Sequence, residues 1–138
     1  MGHLKEDLIR DEGCQLKPYK DSVGKLTIGV GRNLDDAGIT FNEAMMMLDR
    51  DMAVAEMELR RAKPTLMTND SLSSERKDVL IQMAFNMGIP KLLMFHKMWE
   101  ALEVHNYGNA AHEMLDSKWA GQVGPRALRL AKVMKEGQ

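Results

Sequence analysis

The stretch DEGCQLKPYKDSVGKLTIGVGRNL, residues 11–34, decides how the chain is read. Leu4 and Leu8 precede it at helical spacing and Gly13 breaks that pattern, which predicts a short helix with Glu12 in its last turn. From Gln15 to about Leu34, Pro18, Gly24, Gly29 and Gly31 punctuate a run containing Tyr19, Val23, Leu26, Thr27, Ile28 and Val30. That composition predicts two or three short antiparallel strands, and no other part of the chain reads convincingly as β. A side chain at a helix end can reach outward, and Asp21 follows across a turn. The two carboxylates can therefore face one cleft.

Two facing carboxyls are what hydrolysis of a glycosidic bond requires: one protonates the leaving oxygen, and the other, ionised, handles water or the sugar cation. Spacing alone does not single out Glu12 and Asp21, because 20 of the 138 residues are acidic and most exposed carboxylates only solvate a surface.

The remainder of the chain reads as helical. Thr40-Phe41-Asn42-Glu43 is a capping-box pattern that starts a long helix. Ala44, Leu48, Met52, Ala55 and Leu59 carry its apolar stripe as far as Pro64. A break with room for a short helix follows, and Ser73 or Ser74 opens the next one. Val79, Leu80, Met83, Ala84 and Met87 give that helix a wide apolar face ending at Gly88-Ile89-Pro90. Further helices are predicted at about 92–104, about 107–119 and 125–135, the last with Pro125 suited to N1. Met45-Met46-Met47 cannot all point at one core, so at least one is expected at the surface, with the other methionines as core filler.

Composition excludes several classes. A chain of 138 residues can bury a sizeable core without staples. The single cysteine, Cys14, cannot form an intramolecular bridge, which suits a reducing compartment. The charged first dozen residues hold no apolar core of signal-peptide length, and no stretch approaches a membrane span. His3, His96, His105 and His112 are too scattered for a metal site, and Gly29-Val30-Gly31 lacks the third glycine of a dinucleotide loop, position 34 being Leu34. No metal and no cofactor are expected. The basic C-terminal end, with Lys118, Arg126, Arg129, Lys132 and Lys135, reads as a solvated helix face rather than a positive surface for an anionic polymer such as cell wall or for nucleic acid.

Taken together, Glu12-Gly13, Lys17-Pro18-Tyr19-Lys20-Asp21, Gly24 and Thr27-Ile28-Gly29-Val30-Gly31 closely resemble the catalytic segment of the phage-type lysozymes, the T-even class of glycoside hydrolase family 24. Ile81-Gln82-Met83-Ala84-Phe85-Asn86-Met87-Gly88, Phe95, Ser117-Lys118-Trp119 and Pro125-Arg126-Ala127 look like later landmarks of that family in its order. The resemblance covers nearly the whole chain. It implies a mostly helical, lysozyme-like α+β fold: a small β-containing lobe at about 13–40, a connecting helix at about 41–62, and a helical lobe at about 63–138 that includes the N-terminal helix 3–12.

The resemblance also implies roles. Glu12, Asp21 and Thr27 are the expected catalytic set, Gly31, Arg32, Asn86 and Phe95 the expected substrate contacts, and Arg126 an arginine pairing with the catalytic Glu. Two residues depart from the family: Arg32 stands where a His is common, and Asn86 where a Gln often contacts substrate. The segment from Leu34 to Thr40 is also shorter than in longer members.

The function implied is an endolysin-type muramidase cutting the β-1,4 bond between N-acetylmuramic acid and N-acetylglucosamine in peptidoglycan. An inverting path is expected, with carboxyls roughly 6.5 to 9.5 Å apart. Two rivals are a lytic transglycosylase on the same polymer and a non-catalytic peptidoglycan-binding module of the same fold. The glycan strands are the expected partner of a monomer that binds no nucleic acid and does not insert stably in a membrane. Synthesis is expected in a host cytoplasm without a signal peptide, and action on the wall after holin-dependent release.

Overall fold

The computed structural model describes residues 2–138. They form two compact units, one reaching to Met47 and the other spanning Leu48–Gln138. The order of elements is α1 (Leu4–Glu12), β1 (Gln15–Lys20), β2 (Leu26–Gly29), β3 (Arg32–Asn33), α2 (Phe41–Ala62), α3 (Pro64–Thr68), α4 (Ser74–Met87), α5 (Ile89–Leu92), α6 (His96–Glu103), α7 (Tyr107–Leu115), α8 (Lys118–Val123) and α9 (Pro125–Glu136). This is the mostly helical α+β, lysozyme-like fold that the sequence implied. The boundary between the units falls within α2.

In the first unit α1 ends at Glu12 because Gly13 takes φ 76°, ψ 176°, a conformation that L side chains resist. Its N–H still closes the last turn on the Ile9 carbonyl, at 2.8 Å. The three strands form an antiparallel sheet in the order β1-β2-β3. Register shifts between Gln15 and Tyr19 on β1, where Pro18 has no N–H to give to the ladder. An edge strand tolerates this.

The short segment after β3 braces itself. Asn33 Nδ2 donates to Asp36 Oδ2 at 2.9 Å, while Asn33 Oδ1 accepts from the Asp36 N–H at 3.0 Å. Asp35 Oδ2 accepts from the Leu26 N–H at 2.7 Å, which ties the turn to the start of β2. The capping box forms as the sequence indicated: Thr40 Oγ1 accepts from the Glu43 N–H at 3.1 Å, and Glu43 Oε1 accepts from the Thr40 N–H at 2.9 Å.

The second unit holds the apolar core. Leu59, Leu80, Met83, Leu92, Met98, Leu102, Met114 and Met134 are essentially sealed from solvent, each contributing about 1.5–3 kcal/mol of burial. Packing of α7 on α9, of α6 on α7 and of α4 on α9 makes this core. Methionine as filler therefore holds for Met67, Met83, Met98, Met114 and Met134, whereas Met45, Met46 and Met47 are all exposed.

Two helix boundaries differ from expectation. The helix expected at 92–104 is narrower: Leu92 ends the short α5, and α6 begins only at His96 and ends at Glu103. The helix expected to run to Trp119 stops at Leu115, because Ser117 is extended and N-caps a separate α8: its Oγ accepts from the Ala120 N–H at 3.2 Å and donates to the Met114 carbonyl at 2.7 Å. Arg76 on α4 closes the other end of this unit. Its guanidinium lies 3.5 Å from the centre of the Tyr107 ring and donates to the Met134 carbonyl from Nε at 2.7 Å and to the Lys135 carbonyl from Nη2 at 3.0 Å. The exposed carbonyls at the end of α9 are satisfied by a cation, as the helix dipole favours.

Candidate active site

Glu12 is the last residue of α1, so its side chain leaves the helix where the backbone turns away at Gly13. It reaches the turn between β2 and β3. There Glu12 Oε2 lies 2.9 Å, and its Cδ 3.3 Å, from the point a β-carbon on Gly31 would occupy. Gly31 has φ 68° and Gly29 has φ 67°, so both glycines meet the steric demand of this turn.

Asp21 opens the turn between β1 and β2. Its Oδ1 accepts from the Val23 N–H at 3.0 Å and the Lys25 N–H at 2.8 Å, while its carbonyl accepts from the Gly24 N–H at 3.0 Å. This is an Asx-type turn, which explains why an Asp suits the position locally. One carboxylate oxygen is thereby committed to the backbone. The other, Oδ2, accepts from no protein group among the described residues and is available to a ligand or a water.

Thr27 sits on the central strand, paired with Tyr19 on one side and Asn33 on the other, and is 4% exposed. Its hydroxyl donates to the Lys25 carbonyl at 2.9 Å, and the Asp21 N–H donates to that same oxygen at 2.9 Å. One carbonyl thus ties the Thr27 hydroxyl to the backbone of Asp21. With its proton given to Lys25, the Thr27 oxygen can only accept from a further partner.

Arg32 on β3 forms a two-pronged bridge to Glu43, with Nη1 to Oε1 and Nη2 to Oε2 both at 2.9 Å, and Nη1 also donates to the Gly38 carbonyl at 3.1 Å. The Arg32 hydrogen bonds, followed by the Thr40 N–H, pull the Glu43 carboxyl down to about 2, and the same bridge raises Arg32. The guanidinium that resemblance put beside substrate is engaged within the protein. Glu43 was legible as a capping residue, but nothing in local spacing disclosed this second partner.

In the second unit Asn86 is exposed on α4, and its Oδ1 accepts from Trp119 Nε1 at 2.9 Å. Trp119 is buried and meets Phe95 edge to face, with centroids 6.4 Å apart. Asn86 and Phe95 are thus joined through an indole that sequence reasoning treated only as a landmark. The Asn86 Nδ2 group has no protein acceptor among the described residues, so it faces outward as a donor. Arg126, in the first turn of α9, lines a cavity of about 670 Å³ with Asp78, Gln82 and Phe85 of α4 and Met52 of α2. Among the described residues no cluster of three His, Cys, Asp or Glu side chains is placed to hold a metal ion, and no helix is long and apolar enough to cross a membrane.

Glu12 at the end of α1, Asp21 in the turn after β1 and Thr27 on β2 thus lie in one unit, and the chain belongs to the phage lysozyme family, whose sequence profile matches residues 10–132. It is accordingly a glycoside hydrolase, a lysozyme acting on peptidoglycan. Among its relatives is the protein named "Probable T4-type lysozyme 1" of Dictyostelium discoideum, 30% identical over 161 aligned positions that cover 97% of this chain and 94% of the relative. A second lysozyme of that organism, "Probable T4-type lysozyme 2", is 28% identical with the same coverage. The "Pre-baseplate central spike protein Gp5" of Enterobacteria phage T4 is 26% identical across 97% of this chain, which corresponds to 28% of that larger protein.

Proposed function

We propose that the protein hydrolyses the β-1,4 bond between N-acetylmuramic acid and N-acetylglucosamine, with Glu12 as proton donor and with Asp21 and Thr27 holding the attacking water. The observation that carries this reading is the shared Lys25 carbonyl, which fixes Asp21 and Thr27 together while leaving Asp21 Oδ2 and the Thr27 oxygen free to accept. A water donating one proton to each has its lone pair left for the anomeric carbon. As the C1–O bond breaks, Glu12 passes its proton to the leaving oxygen, and Asp21 takes the proton that the water loses. Water enters opposite the leaving group, so the configuration inverts. Asn86, oriented by Trp119, is proposed as a separate amide donor to the glycan polymer, and Phe95 supports that indole.

Digestion of purified sacculi followed by NMR of the new ends tests the reaction. The expected product is a reducing N-acetylmuramic acid end that appears first as the α-anomer. A 1,6-anhydro end would establish transglycosylation instead, and binding to sacculi without bond cleavage would establish a wall-binding module. As an endolysin the protein reaches the host wall after release from the cytoplasm; lysis on expression should then depend on a co-expressed pore-forming partner, and lysis without one would contradict that route.

A further inference from the structure

Gly29 and Gly31 flank Val30 in one turn and hold nearly the same backbone angle, φ 67° and 68°. Conformation alone would account for a glycine at either. Their surroundings differ. A β-carbon at Gly29 would have nothing within 4 Å, whereas one at Gly31 would stand 2.9 Å from Glu12 Oε2, 3.3 Å from its Cδ and 3.5 Å from its Cγ. A separation under 3.0 Å is one that real β-carbons essentially never show, so a side chain at 31 must displace something. What it meets is the flexible end of Glu12, and the carboxyl yields before the backbone does.

We infer that Gly31 is a positioning residue for Glu12: the missing side chain leaves the space in which the carboxyl rests, and so sets where the proton donor stands. This rests on the reading of Glu12 as the acid, and it gives Gly31 a role distinct from the substrate contact that resemblance implied. A proton donor must lie within hydrogen-bond reach of the leaving oxygen, and a misplacement of about 1 Å costs up to roughly a hundredfold in rate. Gly29 supplies the internal control, with nearly the same positive φ and no carboxyl to displace.

The test compares Gly31→Ala with Gly29→Ala. Both should lower Tm, since each forces an L side chain into the left-handed region. Gly31→Ala should also cut kcat by about ten- to a hundredfold with KM within about twofold, while Gly29→Ala keeps kcat within about twofold. Equal kcat in the two variants would overturn the inference. A second readout needs no activity: each glycine substitution is repeated in a Glu12→Ala background. Removing the carboxyl should lessen the Tm loss caused by Gly31→Ala and leave that of Gly29→Ala unchanged. Losses that ignore residue 12 would contradict the contact. Should Gly31→Ala fail to fold, recovery of folding in Gly31→Ala/Glu12→Ala is the expected result, and failure of both, with Gly29→Ala folded, counts against it. If the wild type proves inactive on peptidoglycan, the functional reading fails, while the stability comparison still judges the Glu12–Gly31 contact.

Discussion

Replacing Trp119 by Phe keeps an aromatic ring but removes the indole N–H that Asn86 Oδ1 accepts at 2.9 Å, and it withdraws the benzo edge from a site only 5% exposed. The lost hydrogen bond is worth about 1 kcal/mol. The vacated volume and the weakened edge contact with Phe95 add about 1–2 kcal/mol. A total near 2–3 kcal/mol should lower Tm by about 6–12 °C in a chain of this size, read by circular dichroism. Asn86, freed from the indole, can flip its exposed amide, so KM on peptidoglycan should rise several-fold with little change in kcat. A double-mutant cycle isolates the bond: the cost of Trp119→Phe should fall by about 1 kcal/mol when Asn86 is already Ala. A fall in Tm below about 2 °C, or a coupling near zero, would refute the claim that Trp119 orients Asn86.

Other outcomes follow from the same geometry. Glu43 titrates near 2 when folded against 4.5 for its ordinary value, so its bridge to Arg32 adds stability that is present above about pH 4.5 and is lost as pH falls toward 2. Urea unfolding across that window should decline more steeply for wild type than for Glu43→Gln, and parallel profiles would contradict the bridge. Arg76→Met should remove two charge-assisted bonds to the end of α9 and the stacking on Tyr107, costing about 2–3 kcal/mol and speeding hydrogen exchange at 133–136. Its kcat should stay near wild type, and unchanged exchange would show that Arg76 caps nothing.

Local chemistry made much of the fold legible. Gly13 ended α1 beside Glu12, Thr40 and Glu43 opened α2, and Pro125 opened α9, each because a terminus needs particular groups within three or four residues. The break at Ser117 was missed because apolar periodicity carries on across it: Met114 and Trp119 are both buried, and only the Ser117 cap separates the helices. The site divides the same way. Asp21 is held by bonds within its own turn, so its place could be read from the sequence around it. Asn86 depends on a residue 33 positions away, and Arg32 on one 11 positions away, distances at which spacing carries no information. An Arg at 32 makes sense only with Glu43 in view, because a guanidinium fork can take both oxygens of that carboxylate while it also reaches Gly38.

The central claim is that Glu12 and Asp21 carry the chemistry. It is tested most directly by clearing of a peptidoglycan suspension with wild type, Glu12→Gln and Asp21→Asn compared at equal concentration and with Tm recorded for each. Rates lower by about 10²- to 10⁴-fold are expected for Glu12→Gln and a comparably severe loss for Asp21→Asn, with Tm for Glu12→Gln held within a few degrees of wild type. Clearing by a folded Glu12→Gln variant within tenfold of wild type would contradict it.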